Sequence, residues 1–258
     1  MLIAIVIPVH NEATFLERTV AQIEAERPPL LGKGQQGAMR ADRVLIIIDD
    51  GSTDGSTDIA KKLGERPGIK FVQHTSNRGK GASLRTGFAA AFREGADVVL
   101  LHDADPEFDP QDHDAVLRPI LDGRADIVFG SRLLGMAHRV LPYWRTVAYR
   151  WITRLSNMLT DLNLSDIECC LKAFKREAIE KITIEEDRHG VDVELAAKSA
   201  RLKLTIAPSA EPIPARLFEV PVTYNGRSGV KGKRISKRAL LRSVRSIFKH
   251  NWGAGRSG

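Results

Sequence analysis

Asp103 and Asp105 stand two residues apart, directly after the apolar run 96–101. Residues i and i+2 of extended chain point the same way, so a strand ending here aims both carboxylates at one place. Mg²⁺ and Mn²⁺ take oxygen ligands and keep positions for water or substrate phosphate, so such a pair suits a metal-diphosphate site. Asp103 and the Asp105-Pro106 step also read as ordinary turn chemistry. A second acidic turn upstream favours the cation reading, because Asp49-Asp50-Gly51-Ser52 closes another apolar run, Ile46-Ile47-Ile48.

The elements that must position these carboxylates alternate. The pattern predicts strands at 2–7, 44–48, 69–73, 97–101 and 126–129. It predicts helices at 11–26 (capped by Asn11), 55–63, 81–94 and 111–121. Strands alternating with helices argue for an α/β fold with a mostly parallel sheet. Further on the chain becomes more helical, with helices predicted at 143–162, 188–200 and 235–250 and a strand at 218–223. In the first of these, Trp144, Val147, Ala148, Trp151, Ile152, Leu155 and Leu159 form a stripe that normally means core packing. The segment 27–42 has no periodicity. Its Gly32-Lys33-Gly34-Gln35-Gln36-Gly37 matches a dinucleotide fingerprint by letter only, since it follows no strand and opens no helix.

Composition sets the outer bounds. The chain has 258 residues, 43% of them hydrophobic, which supports one large domain with an ordinary core. No stretch approaches the roughly 20 apolar residues of a membrane-spanning helix, and the apolar start lacks a basic leader, so a cytoplasmic protein is expected. Cys169 and Cys170 are sequence neighbours and read as buried, reduced thiols. The net charge of +7 is concentrated late, and from Val220 onward there is no acidic residue. That end calls for an anionic partner. The final helix, basic on one side and apolar on the other, reads either as a helix on anionic lipid or as one packed on its own domain. Nucleic acid is not expected, because no aromatic-basic platform accompanies the charge. Walker, His-Glu-x-x-His and Cys-x-x-Cys patterns are absent, and the seven histidines are scattered.

Taken in order, the motifs Val6-Ile7-Pro8-Val9-His10-Asn11-Glu12, Asp49 through Ser56, Asn77-Arg78-Gly79-Lys80-Gly81, Asp103-Ala104-Asp105, Gly130-Ser131-Arg132, Ser165-Asp166 through Phe174 and Glu219-Val220-Pro221-Val222 resemble the inverting family-two glycosyltransferases. Within them the chain is similar to the dolichyl-phosphate mannose synthase-like branch. The resemblance implies a GT-A fold over residues 1–226, followed by a basic loop and amphipathic helix over 227–258. It implies a nucleoside-diphosphate sugar donor of GDP-mannose or UDP-glucose type and a polyprenyl phosphate acceptor, met at an anionic membrane surface on the cytosolic side. Donor contacts would come from Pro8, Val9, His10, Glu12, Ile48, Asp50, Lys80 and Ala104. Mg²⁺ or Mn²⁺ would be held by Asp103, Asp105 and Glu107, with Asp105, Arg132 and Asp166 catalytic. Arg132 suits a diphosphate because a guanidinium presents its donors in a fixed fork.

Lys172, Arg227 and Lys233 would meet substrate phosphates, the last two from a segment that closes over them. The chain departs from the family at His10, where Tyr is common, and at Cys169-Cys170-Leu171-Lys172. Residues 208–217 read as an insertion. A phosphate nucleophile is already anionic at neutral pH and needs no protein base. A hydroxyl acceptor would need one, with Asp187 or Glu194 as the candidates.

Overall fold

The computed structural model describes residues 1–31, 40–135, 140, 142–188, 190–205, 211–226 and 237–252. Its centre is β1 (Leu2–Val9), whose eight residues are almost all buried. Such a run, apolar on both faces, belongs in the middle of a parallel sheet covered on both sides. β2 (Asp42–Asp49) and β4 (Val98–Leu101) flank it in parallel, and β3 (Ile69–Gln73) extends the β2 edge. Beyond β4 lie β6 (Lys172–Lys175), β5 (Ile127–Ser131) and β9 (Leu217–Pro221), giving seven strands in the order β3-β2-β1-β4-β6-β5-β9. β6 runs antiparallel to both of its neighbours, and β9 is parallel to β5.

Alternation along β1 splits the core into two layers. Ile3, Ile5, Ile7 and Val9 pack with α1 (Leu16–Ala25), α2 (Ser56–Leu63) and α4 (His113–Leu121). Ala4 and Val6 pack with α3 (Lys80–Arg93) and α7 (Val191–Arg201). α4 is entered through a single 3₁₀ turn, Pro110–Asp112. A four-residue helix, α6 (Arg176–Ile179), follows β6. α5 (Tyr143–Thr160), α7 and α8 (Lys237–Trp252) pack on one another, and Ile247 of α8 is fully buried, so the final helix joins the body of the fold.

Three expectations need correction. The first helix begins at Leu16 and not at Asn11, which adopts a left-handed φ of 56°. Asn11 and its neighbours are strapped instead to the loop after β2. The Asn11 side chain accepts the Thr53 N–H at 2.8 Å, and the Glu12 and Ala13 N–H groups donate to Ser56 Oγ and Asp54 Oδ2. β6 is a strand that periodicity did not reveal, because four residues are too few to show one. Within the expected insertion, residues 208–217, Ile213–Pro214 form β8, which pairs with β7 (Lys203–Leu204) outside it, while residues 206–210 lie outside the described residues.

A further correction concerns α5. Its buried face carries Tyr149, Ile152, Thr153 and Ser156. Of the expected core stripe, Trp144 is 77% and Trp151 51% exposed, with Val147 and Leu159 also open, and neighbouring Tyr143 and Met158 are exposed at 72% and 80%. Ile152 of that stripe is buried in the core and Leu155 packs against it, so only part of the apolar stripe faces the protein. Spacing reveals that a helix has an apolar face but not what covers it.

Candidate active site

The strand order reverses beside β1, since β2 and β3 lie to one side and β4 to the other. In open α/β sheets ligands bind outside the carboxyl ends of the strands at such a point. Here it holds a cavity of about 530 Å³. Pro8, Val9, His10, Glu12, Asp50 and Asn77 line one end, and Asp103, Ala104, Asp105 and Glu107 lie along it. Arg132, Arg145, Tyr149, Glu168, Cys170 and Asp192 line the other side, with Arg188, Arg242 and Ser243.

At the first end the acidic groups are held by backbone. Asp50 accepts the Arg78 N–H at 3.0 Å, the Gly79 N–H at 2.7 Å and the His74 ring at 2.7 Å, which folds the loop before α3 over the cavity. His10 bridges the Asp50 carbonyl and the Asn77 side chain. Gly79 has φ 104°, and a Cβ on Gly81 would lie 1.8 Å from the Glu186 carbonyl oxygen. The two glycines therefore let the start of α3 touch the 185–188 loop, bringing Arg188 to the cavity.

Asp103 and Asp105 both line the cavity, as their spacing anticipates. Lys80 sits 3.2 Å from Asp103, 3.9 Å from Asp192 and 3.0 Å from Cys170 Sγ. Burial works against the Lys80 charge, but Asp103 and Asp192 outweigh it and hold its pKa well above the ordinary lysine value. Glu107 is engaged elsewhere, accepting a 2.9 Å bond from the Tyr224 hydroxyl. Oxygens of Asp103, Asp105 and Glu107 do not all lie within 4.8 Å of one another; among the described residues Glu185, Glu194 and His250 form the one such group of ligand atoms. Two carboxylates on one cavity wall, with room for substrate oxygens, fit a hard divalent cation.

Arg132 is buried. Its Nε and Nη2 donate to Asp166 at 2.6 and 2.8 Å, and its backbone N–H donates to the same carboxylate. Its guanidinium carbon lies 4.2 Å from the centre of the Tyr149 ring and 5.2 Å from that of Tyr224. Burial opposes both charges, yet their attraction raises the arginine pKa and lowers that of Asp166. Among the described residues, none accepts a hydrogen bond from Nη1. Glu219 of β9 pins this corner by accepting the Ser165 and Asp166 N–H groups.

Several expected residues stand elsewhere. Ile48 is fully buried in the core and does not line the cavity. Lys172 is also fully buried, behind the wall, at 2.6 Å from Asp192. Cys169 is buried as expected, whereas Cys170 is only part-buried and reaches the cavity. Glu194 is buried, caps the Glu185 and Glu186 N–H groups and pairs with Lys198. Asp187 pairs with Arg85 on the surface. Neither of these two lines the cavity. Arg227 and Lys233 lie outside the described residues.

Sequence reasoning gave no site role to Arg145, Tyr149, Glu168 and Arg242, and named Glu219 only as part of a motif. Arg145 and Tyr149 carry the one available signal, an i, i+4 pair on the inner face of α5, where Arg145 Nε donates to the Tyr149 hydroxyl at 2.8 Å.

A doubly flanked β1, acidic turns at the ends of β2 and β4, and a buried arginine after β5 define a GT-A nucleotide-diphospho-sugar fold. The sequence model for glycosyl transferase family 2 matches residues 4–183, and the chain belongs to that family. Among its relatives, the polyprenol monophosphomannose synthase of Mycolicibacterium smegmatis is 27% identical over 226 residues, covering 86% of this chain and 77% of that protein. The undecaprenyl-phosphate mannosyltransferase of Micrococcus luteus is 27% identical over 229 residues, covering 87% and 84%. Glucosyl-3-phosphoglycerate synthase of Mycobacterium tuberculosis, solved with Mn²⁺, UDP and glucosyl-3-phosphoglycerate, shares the fold at a TM-score of 0.68 and 18% identity, covering 97% of this chain and 80% of that one. Among the described residues no helix is long and apolar enough to cross a membrane.

Proposed function

We propose that this glycosyltransferase moves a hexose from a nucleoside-diphosphate sugar to a polyprenyl phosphate presented at an anionic membrane surface on the cytosolic side, with inversion at the anomeric carbon. The observation that carries the reading is the double role of α5. Its inner face brings Arg145, Tyr149 and Ile152 to the cavity. Its outer face presents Tyr143, Trp144 and Trp151 beside the exposed Arg150 and Arg154. Aromatic and basic side chains together favour the membrane–water interface. An acceptor with a phosphate head and an apolar tail needs both environments within one helix diameter.

In this reading the nucleotide lies against Pro8, Val9, His10 and Asp50, with its diphosphate beside Asp103 and Asp105. Mg²⁺ or Mn²⁺ on those two carboxylates would draw charge from the diphosphate and make it a better leaving group. Arg132 Nη1 offers a further donor on the same charge. Arg145, Arg188 and Arg242 would receive the acceptor phosphate. Rate then comes from positioning and electrostatics, since the nucleophile arrives anionic. The relatives' named acceptors, polyprenol monophosphate and undecaprenyl phosphate, support the same choice.

The test is transfer of labelled sugar into lipid extract. Purified protein is incubated with GDP-mannose, UDP-glucose or UDP-N-acetylglucosamine and a short polyprenyl phosphate, with and without a chelator. We expect one donor to label lipid in a chelator-sensitive way. Labelling of a hydroxyl acceptor in place of every polyprenyl phosphate would overturn the reading.

A further inference from the structure

Two acidic side chains, Glu168 and Asp192, stand on the wall formed by the 165–170 loop, α5, α7 and α8, with a third, Asp166, buried behind it, and the three differ in how they are compensated. Asp166 has the bidentate Arg132. Asp192 has Lys172 at 2.6 Å and Lys80 at 3.9 Å. Glu168 has neither. Among the described residues its carboxylate is in no ion pair, and its hydrogen bond comes from the Ser243 hydroxyl of α8 at 3.2 Å. Both Glu168 and Ser243 line the cavity, and so does Arg242, the residue before Ser243.

A carboxylate taken out of water, with like charges beside it and no cation of its own, keeps its proton. Burial and then Asp192 push the Glu168 carboxyl up to about 7, with Arg132 opposing and Asp166 adding to the rise. Facing Glu168 are Asp192 on α7, Arg132 after β5, Asp166 on its own loop and Ser243 on α8. Arg242 of α8, Arg145 of α5, Lys80 of α3 and Cys170 line the same cavity.

The proposed function places the acceptor phosphate against this wall, and the inference rests on that reading. We propose that Glu168 binds the acceptor phosphate as a neutral carboxylic acid, donating its O–H to a phosphate oxygen that does not attack. An O–H donor on an anionic oxygen makes a short, strong bond. The same group, once ionised, would repel the phosphate. Glu168 thus sets the protonation state in which the acceptor is accepted.

The pH dependence has a definite sign. Below neutral pH Glu168 is protonated and receptive, and above it the carboxylate turns phosphate away. The acceptor's own second ionisation, with a pKa of about 6, supplies the dianion as pH rises. Acceptor kcat/KM therefore peaks between the two ionisations.

The experiment measures kcat and acceptor KM between about pH 5.5 and 8.5 for the wild type, Glu168→Gln and Glu168→Ala, using the nucleotide sugar and short polyprenyl phosphate that support turnover. An amide mimics the protonated acid but cannot ionise. Wild-type KM should climb about tenfold per pH unit above 7. Glu168→Gln should keep a flat KM and surpass the wild type at the alkaline end, while Glu168→Ala binds acceptor weakly throughout. Nucleotide affinity, read separately, should be unchanged in the Gln variant and reports that the fold is intact. A Gln variant whose KM tracks the wild-type profile overturns the inference alone. So does a kcat loss of a hundredfold or more at unchanged KM, which would make Glu168 a proton-abstracting base. A wild type that turns over with no polyprenyl phosphate removes the functional reading itself.

Discussion

The two sides of the cavity hold their carboxylates by different means. On the β1–β2 side the partners are mostly backbone N–H groups and nearby hydroxyls: Arg78 and Gly79 for Asp50, Ser52 and Thr57 for Asp49, Ser56 and Ala13 for Asp54. On the α5–α8 side they are mostly buried cations: Arg132 for Asp166, Lys172 and Lys80 for Asp192. Backbone donors fix a carboxylate without adding charge, which leaves its negative charge to act on a ligand. Buried ion pairs cancel charge locally, so whatever remains unpaired on that side, Glu168 or an arginine, decides what is attracted. Under the proposed function, the first side would meet the cation-bound diphosphate and the second would select the acceptor.

The contrast predicts that the largest stability loss follows from breaking an ion pair. Asp166→Ala leaves Arg132 buried and uncompensated, and should cost about 3–5 kcal/mol in a denaturant melt. Replacing both partners by apolar residues, Arg132→Met with Asp166→Leu, should restore most of the stability without restoring turnover. Asp166 also carries a pH signature. Its folded pKa is depressed, so its contribution is present above the unfolded value of about 3.9 and is lost only as pH falls through the lower folded value. Equal stability of the single and double variants would dissolve the distinction between the two sides.

Asp50→Ala tests the other side. It orphans two backbone N–H groups and a histidine partner, with an expected cost of about 1–3 kcal/mol and a loss of nucleotide affinity measured by calorimetry. Acceptor KM in the surviving fraction should be unchanged. A shift in acceptor KM matching the shift in donor affinity would show the two sides to be one coupled unit.

This difference also explains what the sequence made legible. Asp49, Asp50, Asp103 and Asp105 sit in short turns after apolar strands, and spacing within a few residues carries their geometry. The buried pairs join residues such as Arg132 and Asp166, 34 apart, and local pattern holds no trace of such a match. Resemblance to a family supplied Asp166, but not Glu168, whose surroundings come from three different helices and loops. Asn11 failed for the same reason: the loop that claims its side chain lies 42 residues away. The parallel order of β1 to β4 followed from strands alternating with helices, whereas β6 is short and antiparallel.

A smaller effect is expected at Asp187. It is largely exposed and paired with Arg85, an arrangement worth about 0.2–1 kcal/mol, and it stands outside the cavity. Asp187→Asn should leave turnover with polyprenyl phosphate within about twofold in a steady-state assay, since the anionic nucleophile needs no base there. A collapse of turnover would count against a phosphate acceptor and favour a hydroxyl acceptor with Asp187 as its base.

The smallest stability change belongs to the outer face of α5. Trp144→Ser combined with Trp151→Ser removes two largely exposed rings that contribute little to the core, so the melt should shift by no more than about 0.5 kcal/mol. Binding to vesicles containing phosphatidylglycerol should nonetheless weaken about tenfold or more, because each ring forfeits apolar area it would bury at the interface. Turnover should divide in the same way. Acceptor embedded in vesicles should show a raised KM, while a short, detergent-dispersed polyprenyl phosphate should be used as before, because Arg145, Tyr149 and Ile152 on the inner face are untouched. A loss of several kcal/mol would mean that these tryptophans are covered by protein. Unchanged vesicle binding would return α5 to the ordinary role of a surface helix, and would separate the acceptor's phosphate from any route to its tail.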